Sequence, residues 1–278
     1  MLQNFLIALG VLTVLAGLLA LGFVIPPRPF RPHPAPSRPG PARPLPDDLP
    51  PPVTRFLRQT VGESLPEIRT AVVWGRGKAC IRGVWLPLRF KSWYRPGQGY
   101  YRRIEVTWFQ RPVLRGVDFF IDGEGVVEVG GRAQRGPRVD QAQLLLLWAE
   151  TVLMPSALAY PQQGHWEPVD DDTARLVFLF GEQRESLLVH FDHETGLMTH
   201  LSGQRYAVFS PNDASSDSPL TDEERAPWRV DLLTWHEVEG MQVPARLAVA
   251  WGEAGSPWSY YNAEGVAYNV NVSDQLGE

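Results

Sequence analysis

The sequence predicts a mainly β protein, in which a curved antiparallel sheet shaped like half of a barrel wraps over one buried helix, behind an N-terminal transmembrane helix. Three observations predict this fold. An uncharged apolar stretch opens the chain, many short segments alternate apolar with polar residues, and one central segment is apolar on all sides. We therefore divide the chain into an anchor at residues 1–25, a proline-rich linker at 26–50 and a single β-rich domain at 51–278.

The opening stretch predicts a single-pass membrane anchor. Phe5–Ile25 contains no charged residue, and its 21 residues are enough to cross a bilayer as a helix. A cleaved signal peptide is the alternative, and Ala20-Leu21-Gly22 is an acceptable cleavage site. Such peptides usually begin with basic side chains, however, and residues 1–4 have none.

The linker composition predicts an extended spacer. Thirteen of the 26 prolines fall in residues 26–52, a density that favours a semi-rigid chain without a core of its own. Four arginines and two aspartates make the linker positive within a chain of net charge −5, so the domain that follows is acidic. An acidic domain argues against nucleic acid as a partner.

Two features of the sequence favour opposite sides of the membrane for the domain. A long proline spacer below a β-rich domain favours a position outside the cytoplasm, in a bacterial envelope. The alternative is a cytoplasmic domain, because four arginines follow the span and none precedes it. The single cysteine, Cys80, forms no internal disulfide and gives no information on the compartment.

The domain sequence predicts about ten antiparallel strands. Segments such as "RIEVTWF" and "VPARLAVAW" alternate as half-buried strands do, and hairpin turns are expected at Asp122-Gly123 and Glu239-Gly240. "TARLVFLF" is apolar on both faces, so its second face should be covered by a helix, a loop or a ligand. Residues 210–227 are predicted to form an acidic loop.

Two helices are predicted in the domain. A short one begins in "PPVTRFLRQTVG", with Pro52 in its first turn and Gly62 as its stop. The second is capped by Asp140 with Gln143 three residues on, and it ends or kinks near Met154, before a proline. This second helix is apolar nearly all round, which predicts that it is buried.

Glu150 is the one carboxylate in the run "LLLLWAETVLMPSAL". Its helical neighbours are leucines and a methionine, and an unpaired carboxylate among them would be costly. The structural interpretation is an ion pair, for example with Arg55 or Arg205. The functional interpretation is a pocket carboxylate of raised pKa.

Six residues are candidates for the lining of a ligand pocket between sheet and helix: Glu150, Trp148, Met154, Asp118, Phe120 and Phe178. Asp118 shares a strand face with Phe120, where it is either solvent-exposed, the interpretation we favour, or a pocket acid. We predict no catalytic residue, metal or cofactor.

Two polar clusters have simpler explanations than a metal site. The acidic run at residues 170–172 lacks the spacing of a calcium loop and predicts a solvated turn. His190 and His200 should lie diagonally across neighbouring strands with Asp192 nearby, but histidines are common on exposed hairpins.

Five segments in order resemble a bacterial family of unknown function whose members often carry an N-terminal membrane segment: "PPVTRFL", "GVDFFIDGEG", "WAETVLMPSAL", "WEPVDDDTAR" and "WHEVEGMQVP". The chain departs from the family pattern at Phe56, where a tyrosine is expected, and at Leu153-Met154, where an aromatic pair is expected. The resemblance implies no catalytic role. The expected shape is also similar to the half-barrel of periplasmic lipoprotein carriers, and fold alone does not determine function.

The sequence thus favours a membrane-tethered domain that binds an apolar or amphiphilic, lipid-like ligand in the cell envelope. The alternative is a structural or protein-interaction domain with a filled core. A hydrolase that uses Glu150 with Asp118 or Asp170 has less support, because no pair of nucleophile and base accompanies these acids. We therefore do not expect an enzyme.

Overall fold

The computed structural model describes residues 2–38, 40–161, 163–208, 225–252 and 254–277. Within these ranges the chain forms four α-helices and fifteen strands. The helices are α1 (Leu2–Val24), α2 (Pro51–Thr60), α3 (Pro137–Glu150) and α4 (Ser273–Leu276). The strands are β1 (Ala42–Pro44), β2 (Ser64–Pro66), β3 (Ala71–Ile81), β4 (Val84–Arg95), β5 (Gly99–Trp108), β6 (Arg111–Ile121), β7 (Glu124–Val129), β8 (Arg132–Gln134), β9 (Gly164–Asp170), β10 (Thr173–Phe180), β11 (Gln183–Phe191), β12 (Met198–Tyr206), β13 (Arg225–Val238), β14 (Met241–Trp251) and β15 (Pro257–Tyr268).

Thirteen of the described strands form one antiparallel sheet, which confirms the predicted mainly β fold. Its order is β8-β7-β6-β5-β4-β3-β15-β14-β13-β12-β11-β10-β9, so two meanders meet where β3 pairs with β15. The remaining two strands, β1 and β2, pair with each other. The strand number exceeds the predicted ten partly because β1, β2 and β8 are only three residues long.

Helix α3 connects the two edges of the sheet. It follows β8 at one edge and precedes β9 at the other, so the chain has to cross the concave face between them. Ten of its fourteen residues are buried, including all of the run from Gln141 to Ala149. The predicted arrangement, a curved sheet over one buried helix, is confirmed.

The ends of α3 differ from the prediction. The helix begins at Pro137 after Gly136, whose φ of 111° favours glycine, and Asp140 lies inside the first turn rather than at the cap. The Asp140 carboxylate instead accepts a hydrogen bond of 2.6 Å from the backbone N–H of Gly125. The α-helix ends at Glu150, four residues before Met154, and continues as short 3₁₀ turns at Thr151–Leu153 and Pro155–Leu158.

The shorter helix and the predicted turns are confirmed. Helix α2 buries an apolar face that includes Phe56, and Gly62 follows it with a φ of 101°. The turn between β6 and β7 has positive φ at both Asp122 and Gly123, which matches the twist of the flanking strands. Residues 210–224 of the predicted acidic loop lie outside the described residues, and residues 225–227 begin β13.

Strand β10 contains the segment "TARLVFLF", which was predicted to be covered on both faces. Its second face is covered only in part. In β10, Leu176 and Phe178 point into the core and are almost fully buried. On the other face Val177 is buried, but the side chain of Leu179 is 56% exposed. This end of β10 therefore presents an apolar side chain to solvent.

The proline-rich segment is extended and lies against the outer, convex face of the sheet. Its backbone carbonyls accept hydrogen bonds from three basic side chains: Pro27 from Arg76, Arg28 from Arg89 and Arg31 from Lys91. The guanidinium of Arg89 also lies 4.6 Å from the Phe30 ring centroid. A proline-rich chain cannot satisfy its carbonyls internally, so donors on the sheet stabilise it. Composition alone did not predict these contacts.

Candidate functional site

Glu150 forms an ion pair with an arginine beneath the curved sheet. Arg102 on β5 donates to its carboxylate at 2.5 Å, and the hydroxyl of Tyr94 on β4 donates to the other oxygen at 2.8 Å. The side chain of Glu150 is 13% exposed and that of Arg102 is 6% exposed. The predicted ion pair with an arginine is therefore present.

The arginine partner differs from the two that the sequence suggested. Arg55 instead pairs with Asp172 at 2.7 Å on the surface. Arg205 is buried, donates to the backbone carbonyl of Ala142 at 2.9 Å and stacks on Trp228. Burial lowers the pKa of Arg205 to about 10, which leaves it protonated at neutral pH.

Asp118 binds the same guanidinium and is buried, so the prediction of an exposed Asp118 is wrong. Arg102 and Asp118 are directly opposite each other in the pairing of β5 with β6. The two side chains form a bidentate pair, with distances of 2.9 and 2.5 Å. Tyr100 donates to Asp118 at 2.8 Å and also contacts the amide oxygen of Gln143 on α3.

A signal for Arg102 was present in the sequence. In "YYRRIEVTW", period-two alternation places Arg102 in phase with Ile104 and Val106, on the face that turns towards the core. A charged residue in the inward phase requires a buried partner. Both acids of this cluster were predicted as site candidates, but Arg102, the base they share, was not.

The electrostatics of this cluster favour a structural role. Burial raises the pKa of Glu150 above its usual value, although Arg102 and the hydrogen bond from Tyr94 act in the opposite direction. Burial acts to lower the pKa of Arg102, but the two carboxylates raise it well above its usual value. The two acids are therefore occupied by one cation and two tyrosines, and they do not form an open pair for acid–base chemistry.

Replacement of Glu150 by glutamine is expected to lower the free energy of unfolding by about 1.5–3 kcal/mol, the usual contribution of a hydrogen bond to a charged group. Arg102 keeps Asp118 in this variant, so the loss stays below that of a fully stranded charge. Asp171→Asn, on an exposed turn, is the control and should change stability by less than about 0.5 kcal/mol. Urea unfolding measures both. Wild-type stability in Glu150→Gln would contradict the structural role.

A cleft of about 320 Å³ opens beside the C-terminal end of α3. Its lining comes from the segment that leads into β3, from the turn between β4 and β5, and from the 3₁₀ turns after α3. Trp148 lies at its base with Leu65 and Ile68, all three of them buried. One of the six predicted pocket residues, Trp148, lines this cleft.

The other five predicted pocket residues lie outside the cleft lining. Met154, Phe178 and Phe120 are buried in the main core, and Phe178 stacks on Trp148 with ring centroids 5.2 Å apart. Glu150 and Asp118 belong to the Arg102 cluster. The sheet and helix are thus packed together along most of their contact, and open space is found at one end.

The rim of the cleft is basic. Arg43, Arg69 and Arg95 line it together with one acid, Glu67. Glu67 bridges Arg43 at 2.6 Å and Arg69 at 2.7 Å, and the Arg95 guanidinium donates to the backbone carbonyl of Gly277 at 2.5 Å. The side chains of Arg43 and Arg69 are 49% and 73% exposed. Three cations against one anion leave a positive rim in a chain of net negative charge.

The histidine pair is closer than predicted. His190 and His200 are directly opposite on β11 and β12 rather than diagonal, and their rings stack with centroids 4.2 Å apart. Burial lowers the pKa of both, so the neutral forms that can stack without repulsion are favoured. Asp192 accepts hydrogen bonds from Thr195 in its own turn.

The fold and the site together define a class of protein: a chain with an N-terminal apolar helix, whose curved antiparallel sheet encloses a second helix and carries a basic cleft at the end of that second helix. The chain belongs to DUF6544, a family of unknown function, whose model matches residues 41–263. This match confirms the resemblance to a family of unknown function. No curated protein matches the chain.

The chain is similar to several solved structures at low sequence identity. A DUF1329 family protein from Desulfovibrio piger is 13% identical, with a TM-score of 0.41 over 76% of this chain and 90% of that chain. A LolA superfamily protein from Nitrosomonas europaea is 8% identical, with a TM-score of 0.45 over 82% and 96%. A putative outer membrane lipoprotein-sorting protein domain from Vibrio parahaemolyticus is 10% identical, with a TM-score of 0.40 over 74% and 88%.

Proposed function

We propose that this protein is a membrane-tethered domain that binds a single-chain anionic amphiphile in the cleft beside Trp148. The observation that carries the proposal is the composition of the cleft, an apolar base below a basic rim. Ligand pockets commonly combine a mostly apolar lining with a few polar groups that fix orientation.

The apolar base suits the chain of such a ligand. Leu65, Ile68 and Trp148 present buried carbon surface, and each buried methylene of a ligand contributes about 0.8 kcal/mol. A volume of about 320 Å³ lies at the lower end of the range for small-molecule pockets, about 300–1,000 Å³. It therefore suits one alkyl chain better than the two chains of a membrane phospholipid.

The basic rim suits the head group. A carboxylate or phosphate could take the place of Glu67 on Arg43 or Arg69, because the guanidinium fork binds either group in a bidentate manner. Both arginines are exposed and already held at the rim. A cationic head group would meet three like charges and is not expected to bind.

The tether is α1. Its segment Gln3–Val24 has a mean hydropathy of 2.6, which by length and composition is sufficient for a membrane span. A cleaved signal sequence can have the same length and composition, so the retention of α1 as an anchor is proposed here. We place the domain outside the cytoplasm, with the cytoplasmic side as the alternative that the linker arginines favour.

Saturable binding of 11-(dansylamino)undecanoate by the full chain in nanodiscs tests the proposal. Wild type should enhance the fluorescence of this anionic probe, and an excess of unlabelled laurate should displace it. Dodecyltrimethylammonium, with a chain of the same length and the opposite charge, should not displace the probe. Empty nanodiscs provide the partition background.

The paired variant Arg43→Gln with Arg69→Gln should weaken probe binding about tenfold or more, because it removes two charge-assisted contacts. Arg184→Gln is the matched control, since Arg184 is a surface arginine paired with Glu167 on β9 and is not part of the cleft lining. Equal affinities of the two variants, or no saturable binding by wild type, would contradict the proposal.

The alternative function is a structural or protein-interaction domain with a filled core. The close packing of Trp148 against Phe178 favours it, since most of the space between sheet and helix is occupied. A wild-type protein that binds no probe of either charge, yet unfolds cooperatively, would support this alternative.

A further inference from the structure

We infer that the end of the sheet beside α1 is a second membrane contact, which lies in the interface of a bilayer that contains anionic lipids. The inference rests on the proposed tether and adds a surface of the domain to it. The surface consists of the turn between β3 and β4, the turn between β5 and β6, and the residues that flank them. We call it the membrane rim, residues 78–85 and 108–113.

The membrane rim is in direct contact with the end of α1. The backbone N–H of Phe109 donates to the carbonyl of Gly22 at 2.9 Å, so the turn between β5 and β6 satisfies one of the free carbonyls at the end of α1. The Trp108 ring lies so close to Gly22 that any side chain there would collide with it. Phe23 packs against the domain core.

The length of α1 sets the depth of the membrane rim relative to a bilayer. A helix that crosses the bilayer with Gln3–Val24 has Gly22 within one turn of its end, at the level of the lipid head groups. A turn that is hydrogen-bonded to Gly22 has to lie at the same level. The membrane rim is therefore positioned at the interface by its own contact with the anchor.

The membrane rim exposes apolar surface. Outside α1, seven large apolar side chains of the described residues are exposed, and three of them belong to the rim: Val84 at 55%, Trp85 at 39% and Val113 at 54%. Clustered exposed apolar residues mark an interaction surface. Tryptophan in particular is enriched where a membrane meets water.

The charged side chains of the membrane rim are all basic. The fourteen residues of the rim contain three charged side chains, Lys78, Arg82 and Arg111, and all are basic within a chain of net charge −5. The ammonium of Lys78 lies 4.6 Å from the Trp85 ring and 5.1 Å from the Tyr260 ring. A cation beside aromatic rings and exposed aliphatic side chains complements an anionic lipid surface.

Cys80 provides a direct probe of this contact. It is the only cysteine of the chain, it is partly exposed, and it pairs with Trp85 across β3 and β4. A polarity-sensitive fluorophore on Cys80 of the full chain can be followed in nanodiscs of phosphatidylcholine, with or without phosphatidylglycerol. We expect a blue shift and quenching by lipid-borne nitroxides, both stronger with phosphatidylglycerol.

A label at the opposite end of the sheet is the matched control. Glu194→Cys in a Cys80→Ser background places the fluorophore on the exposed turn between β11 and β12, and its emission should not respond to lipid. In a second test, Lys78, Arg82 and Arg111 are all replaced by glutamine in the chain labelled at Cys80. The response to phosphatidylglycerol should be lost in that variant.

The possible outcomes separate the rim from the tether. Co-elution of the protein with nanodiscs tests the tether alone. The protein could co-elute with nanodiscs while the emission of the Cys80 label responds to lipid no more than that of the label at residue 194. This result would overturn the membrane rim and leave the tether intact. Failure to co-elute would overturn both. A blue shift in detergent that depends on protein concentration would assign the rim to a second copy of the chain and overturn the lipid contact.

Discussion

Replacement of Arg102 by leucine should lower the free energy of unfolding by at least about 3–5 kcal/mol, the cost of breaking a buried pair by removing one partner. The reason is that one guanidinium serves two buried acids. It binds Asp118 through two hydrogen bonds and Glu150 through a third. Leucine fills part of the volume but leaves both carboxylates without the cation that is hydrogen-bonded to them.

The same variant should gain stability relative to wild type as the pH falls. Burial already raises the pKa of Glu150 and Arg102 opposes that rise, so without Arg102 the pKa of Glu150 should lie further above its unfolded value of about 4.3. Acids with a raised folded pKa contribute stability at low pH, and this contribution is lost as the pH rises through the folded pKa. The stability gap to wild type should therefore narrow from pH 7 towards pH 5.

Urea unfolding of Arg102→Leu at several pH values measures both effects. The neighbouring Arg103→Leu is the control, because Arg103 is exposed on the other face of β5 and lies 5.9 Å from the Phe30 ring. The free energy of unfolding of Arg103→Leu should be at most about 1 kcal/mol below that of wild type. A pH-independent gap for Arg102→Leu would mean that the carboxylates are not stranded.

Replacement of Trp148 by alanine is expected to cost about 3–5 kcal/mol, as is usual for a large buried aromatic residue. Trp148 is 2% exposed and stacks on Phe178, so its removal leaves a cavity below the cleft. Trp85→Ala, in the membrane rim, should lower the free energy of unfolding by less than about 1 kcal/mol and serves as the control. Thermal unfolding provides the measurement.

The result for Trp148 also bears on function. A loss of only about 1 kcal/mol would show that the base of the cleft is already loosely packed, which favours space for a ligand over a filled core. A full loss, accompanied by weaker binding of the dansyl probe, would show that the same ring stabilises the domain and lines the site.

Much of the fold could be predicted because it depends on local patterns. Alternation identifies strands, and the Asp-Gly pair between two alternating segments identifies the turn at Asp122-Gly123, where both residues have positive φ. The buried helix is visible because its apolar surface has no polar side. The start of α3 was misplaced because Asp140 has the residue type of a cap, whereas Gly136 and Pro137 provide the actual start.

The candidate site was less predictable because its parts are distant in sequence. Leu65, Arg95 and Trp148 reach one cleft from three separate segments, and only the strand order brings these segments together. The Arg102 pair likewise requires the register of β5 with β6. Alternation shows which face a residue occupies, but it does not show which residue on the next strand lies opposite.

The cleft and the membrane rim lie at opposite ends of β3. Thr70, just before this strand, lines the cleft, and Ile81 at its end belongs to the rim. Eleven residues of strand span roughly 35 Å at about 3.3 Å per residue. With the rim on the bilayer, the cleft would open well away from it, towards ligands that have already left the membrane.

The pairing of β3 with β15 has a consequence for biosynthesis. These strands are neighbours in the middle of the sheet, yet Ala71 pairs with Tyr268, which follows it by 197 positions in the sequence. The centre of the sheet therefore cannot form until β15 has been made, long after β3, and contacts this distant in sequence are slow to form. During translation, both meanders would expose an unpaired strand edge. A ribosome stalled before β15 would leave two incomplete sheets prone to aggregation rather than a shorter folded domain.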